Sequence, residues 1–176
     1  MGFGVLTLAV ASFAAPAQAA TTGDTAAQFE VGVGALSISV PGEADFGQVA
    51  SNATTLTAPL GTVTVADQRA ALNATWTATV SSTSFTTGGA TPSETISNAD
   101  VAYWSGPATA ATGTATRVPG QLTAAAAVAL NATRTAFSAT AIIGNNTTEW
   151  DPTVVIALPG ALVAGTYTGT ITHSVG

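Results

Sequence analysis

The stretch T-W-T-A-T-V-S, residues 75–81, and the longer T-Y-T-G-T-I-T-H-S-V, residues 166–175, put a hydroxyl at every second position. A period of two belongs to an extended strand, in which successive side chains point to opposite faces; on a helix the same spacing scatters both sets around the axis. Ala74, Trp76, Ala78 and Val80 therefore share one face, and Thr75, Thr77 and Thr79 the other. In the second stretch Tyr167, Gly169, Ile171, His173 and Val175 oppose a row of Thr166, Thr168, Thr170, Thr172 and Ser174. Each stretch reads as a half-buried strand, with rings on an apolar face and threonine, a good strand former, facing solvent.

Other segments extend the pattern. Residues 28–33, 35–40, 62–65, 101–104, 135–143 and 153–157 are expected as strands, with G-G-A-T-P-S, G-P-A-T-A-A-T-G and G-N-N between them as turns or loops. L-T-A-A-A-A-V-A-L, residues 122–130, is open between a helix, which alanine favours, and an edge segment. Charged residues at helical spacing are almost absent, so the fold class is all-β, a sandwich or barrel. A-L-N-A-T occurs at residues 71–75 and again at 129–133, each followed by x-T-A, either a duplicated hairpin or a chance echo in a chain rich in Ala and Thr. Asn52, Asn73, Asn131 and Asn146 match the N-glycosylation pattern, but in a bacterial-looking chain they read as turn formers.

The first residues, M-G-F-G-V-L-T-L-A-V-A-S-F-A-A-P-A-Q-A-A, are small and apolar and end in an A-x-A signature, so residues 1–19 are expected to be a secretory signal, with a true start upstream supplying the missing basic residues. Residues 20–176 are then one domain, secreted to the cell wall or cell surface. No further apolar run reaches the ~18 residues of a membrane span. Cysteine is absent, so packing and strand pairing alone must stabilise the fold. With a net charge of −6, no lysine, and Arg69, Arg117 and Arg134 far apart, nothing could replace the counterions of a nucleic acid.

V-T-V-A-D-Q-R-A-A-L-N-A-T-W-T-A-T-V-S-S-T-S-F, residues 63–85 with their leading segment, resembles the first half of the WxL domain of Gram-positive surface proteins, where a V-x-D-x-R-like segment leads into a W-x-L strand and a later Phe. V-V-I-A-L-P-G-A-L-V-A-G-T-Y-T-G-T-I-T-H-S-V-G, residues 154–176, resembles the end of that domain, with Ala164-Gly165-Thr166-Tyr167 the strongest local match. The first motif stands here as Trp76-Thr77-Ala78 and the second as His173-Ser174-Val175. The resemblance implies an antiparallel β-sandwich, Ig-like and WxL-like, attached non-covalently to the cell wall, with peptidoglycan or another surface glycan as partner. Trp76, Arg69, Tyr167 and His173 are the candidate ligand-binding residues, rings offering flat surface to sugar faces and hydroxyls offering hydrogen bonds. Arg69, two residues from Asp67, could close over a ring or pair with that carboxylate; its expected role is fixing the loop into the Trp strand.

No catalytic residues and no cofactor are expected. The single His alternates with Ile171 and Val175, no G-x-S-x-G is present, and one His without Cys cannot assemble a zinc site. Glu149 and Asp151 flank Trp150, but without further ligands they read as a solvated loop rather than a calcium site or an acid/base pair. L-P-G-A at residues 158–161 is not a sortase signal. A structural subunit of a surface filament or coat, assembled through strand edges or with other surface proteins, is the alternative, because scarce charge leaves such edges poorly defended.

Overall fold

The computed structural model describes residues 25–176; the expected signal at 1–19 lies outside them. Residues 25–31 carry no regular secondary structure and are exposed. The body, Gly32–Gly176, is antiparallel throughout. Its strands are β1 Leu36–Ser39, β2 Thr55–Pro59, β3 Val63–Asp67, β4 Leu72–Ser82, β5 Phe85–Thr86, β6 Thr95–Ile96, β7 Val101–Trp104, β8 Ala108–Pro119, β9 Val128–Ala129, β10 Arg134–Trp150, β11 Thr153–Ala157 and β12 Ile171–Val175.

A six-stranded sheet runs β1-β3-β10-β4-β12, with β8 on β10, and a four-stranded sheet runs β2-β11-β7-β9. β3 and β4 are two lengths of one strand. Both pair with β10 in nearly continuous register, from Trp150↔Val63 through Asn146↔Asp67 to Ile143↔Leu72 and Arg134↔Val80. Between them the chain bulges at residues 68–71, and Ala70 and Asn73 take positive φ. At the same level Ala141 and Gly144 on β10 and Gly113 on β8 also have positive φ, Ile143 being paired with both Leu72 and Thr114. Bulges bend a strand and increase its twist, so this row is a crease across the sheet. Gly113 is required there, because a Cβ would strike Asn145 O and sit 2.8 Å from Asn146 Cβ. β1 and β12, at the two ends of the hydrogen-bonded order, approach one another.

Between the sheets lie Trp76, Phe137, Trp150, Tyr103, Ile142, Val63, Val65, Val80, Val101 and Val154, all at most 2% exposed. Phe137 stacks on Trp150 at 5.0 Å between centroids and meets Trp76 at 6.5 Å. The core is thus a ring cluster framed by β-branched residues, the packing expected of sheet faces in a sandwich.

The alternation read from the sequence holds over 75–80 and 171–175: Trp76, Ala78 and Val80 are buried while Thr75 and Thr77 are exposed, and Ile171, His173 and Val175 are half-buried while Thr172 and Ser174 are exposed. Residues 166–170, expected in the same strand, instead form a loop with one bridge from Thr168 to Thr86. Elsewhere the structure differs. Residues 28–33 form no strand. The expected loop at 106–113 runs into β8, and the expected G-N-N turn lies within β10. Residues 122–130 divide into a 3-10 turn, Ala124–Ala126, and β9. The echoed A-L-N-A-T segments are placed differently, Leu72 being 74% exposed and Leu130 1%.

Candidate binding cleft

Trp76 stands at the centre of the sheet on β4, 2% exposed, and the indole Nε1 has no hydrogen-bond partner. Its ring is core and offers no face to a ligand, which corrects the expectation of a binding platform there. The reason is position: β4 lies between β10 and β12, so an inward side chain meets the opposite sheet rather than solvent.

Arg69 secures the crease. Its Nε donates to Asp67 Oδ1 at 2.9 Å and its Nη2 to Asp67 Oδ2 at 2.8 Å, while Nη2 also reaches Thr75 O at 2.9 Å across the bulge. The Arg69 backbone N–H donates to the same Asp67 Oδ1. Asp67 is 1% exposed, and the guanidinium hydrogen bonds hold its carboxyl below the ordinary carboxylate range against the opposing effect of burial. Arg69 therefore ties the end of β3 to the start of β4 and does not close over a ring.

Tyr167 and His173 share a cleft that Trp76 and Arg69 do not line. This cleft is open, measures about 1910 Å3 and lies between residues 40–54 and 158–171. The floor is apolar, with Leu56, Leu60, Phe85, Ile96 and Ile156, and the rim carries hydroxyls and amides, among them Ser51, Asn52, Thr166 and Thr168. Tyr167 Oη donates to Val163 O at 2.9 Å and reaches Ser93 O at 3.2 Å, pinning the loop that forms one wall. Gly169 lets that wall pass over Phe85, where a Cβ would lie 2.8 Å from the ring.

His173 terminates a polar chain. Trp150 Nε1 donates to Tyr103 Oη at 3.2 Å, and that hydroxyl lies 3.2 Å from His173 Nε2. Tyr103 Oη accepts from the indole and shares a hydrogen bond with His173 Nε2, in which either atom is the donor according to the imidazole tautomer. Burial pushes the His173 pKa down to about 4 and raises that of Tyr103; both groups are neutral at pH 7.

Among the described residues no Lys or Arg lines the cleft, although Glu43 and Asp45 do. Arg117 donates to Thr148 Oγ1 and to the carbonyls of Thr112 and Thr147, and Arg134 to Ala129 O and Asn131. Glu149 and Asp151 lie outside the cleft, Asp151 accepting from Thr62 Oγ1 at 2.6 Å. Among the described residues no group of His, Cys, Asp or Glu could hold a metal ion, and no helix is long and apolar enough to cross a membrane. Residues 41–54 were not foreseen as part of a site; the available signal was a stretch, P-G-E-A-D-F-G-Q-V-A-S-N-A-T, that carries Pro, Gly, Asp and Asn without sustained alternation and is longer than most connections. Comparison of the chain with family models, with curated proteins and with solved structures returns no match.

Proposed function

We propose that the chain is a secreted, non-catalytic surface module that attaches non-covalently to a cell-wall glycan, with peptidoglycan the ligand implied by the WxL resemblance and the cleft as its contact site. The observation that supports this most is that Tyr167 and His173 line one cleft with an apolar floor and a hydroxyl rim. At about 1910 Å3 the cleft exceeds the roughly 300–1,000 Å3 of small-molecule pockets, a size suited to a length of polymer. Acidic groups without a cation disfavour polyanions and leave neutral or amine-bearing sugars as the ligand class. The non-catalytic part of the reading rests on His173, whose Nε2 is engaged by Tyr103.

Pull-down of the purified protein with isolated cell walls tests this. Retention is expected, and it should fall when Asn52→Arg and Thr166→Arg crowd the exposed rim. A protein that stays in the supernatant, or whose retention ignores both rim changes, removes the proposal.

A further inference from the structure

The strongest unassigned feature is a match between an unpaired segment and an unpaired edge. Residues 28–33, Q-F-E-V-G-V, alternate as a half-buried strand does, yet Phe29, Val31 and Val33 are 88%, 69% and 84% exposed. Leaving three large apolar side chains in water on one face is unfavourable, and a strand partner would cover them while satisfying the backbone. On the body, β8 pairs with β10 along one side only, and its other side has no strand partner among the described residues. Residues 108–114 are exposed on both faces, so neither a strand nor the opposite sheet covers them.

Protein edges are ordinarily guarded by charges, proline or bulges. In β8 irregularities lie at Gly113 and between Ala108 and Ala110, with Pro107 before the strand and Pro119 at its far end, which leaves 108–112, A-T-A-A-T, uncharged and 110–112 in unbroken register with β10. The one charge of β8, Arg117, is drawn back onto Thr148 and the carbonyls of Thr112 and Thr147. The side chains of 108–112 are small and leave room beside them for Phe29, Val31 and Val33, while Gln28 and Glu30 would face solvent. Glu30 is the only charge of its segment and opposite in sign to Arg117, so the pairing brings no like charges together.

The geometry points to strand addition between copies: residues 28–33 of one molecule add to the free edge of β8, residues 108–112, of another. Main-chain hydrogen bonds supply the pairing, and Phe29, Val31 and Val33 gain lateral contact with the small side chains of 108–112, as in other β-augmentation interfaces. Donor and acceptor are different surfaces, so each copy gives one segment and receives one, and the contact is head-to-tail, growing into a chain or closing into a ring. This goes beyond the wall-glycan reading and does not depend on it, since the edge of β8 contributes nothing to the cleft.

The chain has no cysteine, so introduced thiols report the contact cleanly. A Val31→Cys copy mixed with a mass-tagged Thr112→Cys copy should form the mixed disulfide dimer in clear excess over a Val31→Cys and Ser51→Cys mixture. Light scattering should show concentration-dependent growth. The Phe29→Asp/Val31→Asp variant, whose changes lie outside every strand of the body, should keep the far-ultraviolet circular dichroism of the parent. It should need a concentration about tenfold or more higher to assemble. Ala110→Lys/Thr112→Lys should act alike from the acceptor side. A protein that stays monomeric at all concentrations overturns the inference. So does growth indifferent to both variants, or cross-linking no greater than in the Ser51→Cys control.

Discussion

Trp76 and His173 occupy the same relation to the chain and opposite relations to solvent. Each is a ring on the inward face of a strand in one sheet, with hydroxyls on the reverse, and the two strands are neighbours, β12 pairing with β4 from Ile171↔Ser82 to Val175↔Ala78. Trp76, with a strand on either side, is sealed against Phe137 and the opposite sheet. His173, on the last strand of the order, keeps one side open to the cleft and holds Tyr103 with the other. Alternation decides which face a ring takes, whereas rank within the sheet decides whether that face is interior or rim.

The largest test of this contrast is Trp76→Ala. It should cost about 3–5 kcal/mol, as deletion of a buried aromatic ring does, read as a lowered midpoint in urea denaturation; a loss under about 1 kcal/mol would contradict the sealed environment. For His173 the contrast lies in pH. The unfolded imidazole titrates near 6.5 and the folded one near 4, so between these values the unfolded chain binds more protons. Stability is therefore complete above about pH 6.5 and declines on acidification toward pH 4, by a loss on the order of 3 kcal/mol. His173→Gln should flatten that part of the stability curve, and an unchanged slope would show that another group titrates there.

Arg69→Met comes next. It leaves the buried Asp67 carboxylate without its bidentate partner, and with Arg69 one-third exposed the cost should be about 1–3 kcal/mol at pH 7. The parent should also lose this contribution as pH falls below the ordinary carboxylate range through the lowered pKa of Asp67, and the variant should not. The smallest effect is expected from Tyr167→Phe, about 0.5–1.5 kcal/mol for the hydrogen bonds to Val163 O and Ser93 O. Faster amide exchange around residues 159–168 would mark the loosened cleft wall, and unaltered exchange would separate Tyr167 from that role.

Strand faces were legible wherever one side is buried and the other wet: residues 101–104 and 153–157 emerge with the boundaries of β7 and β11. β8 was not legible, because residues 108–114 are exposed on both faces and selection for burial leaves no alternation in A-T-A-A-T-G-T. The G-N-N of residues 144–146 carries real turn chemistry, but the positive φ of Gly144 bends a strand instead of ending it. Only the position of β10 between two partners reveals that. Of the candidate residues, Tyr167 and His173 reach the cleft while Trp76 and Arg69 do not, a distinction that depends on strand order, which local pattern does not encode. The residues that hold His173, Tyr103 directly and Trp150 through it, are distant in sequence and meet only where the two sheets pack.

The crease through Ala70, Asn73, Gly113, Ala141 and Gly144 has a thermodynamic corollary. The strand lengths on its two sides are covalently continuous in β8, in β10 and from β3 into β4, so opening one flank takes pairing from strands that run on into the other. Hydrogen exchange in the two flanks should consequently converge on a single opening free energy, and a molecule folded around a corner should come apart as one cooperative unit rather than leaf by leaf.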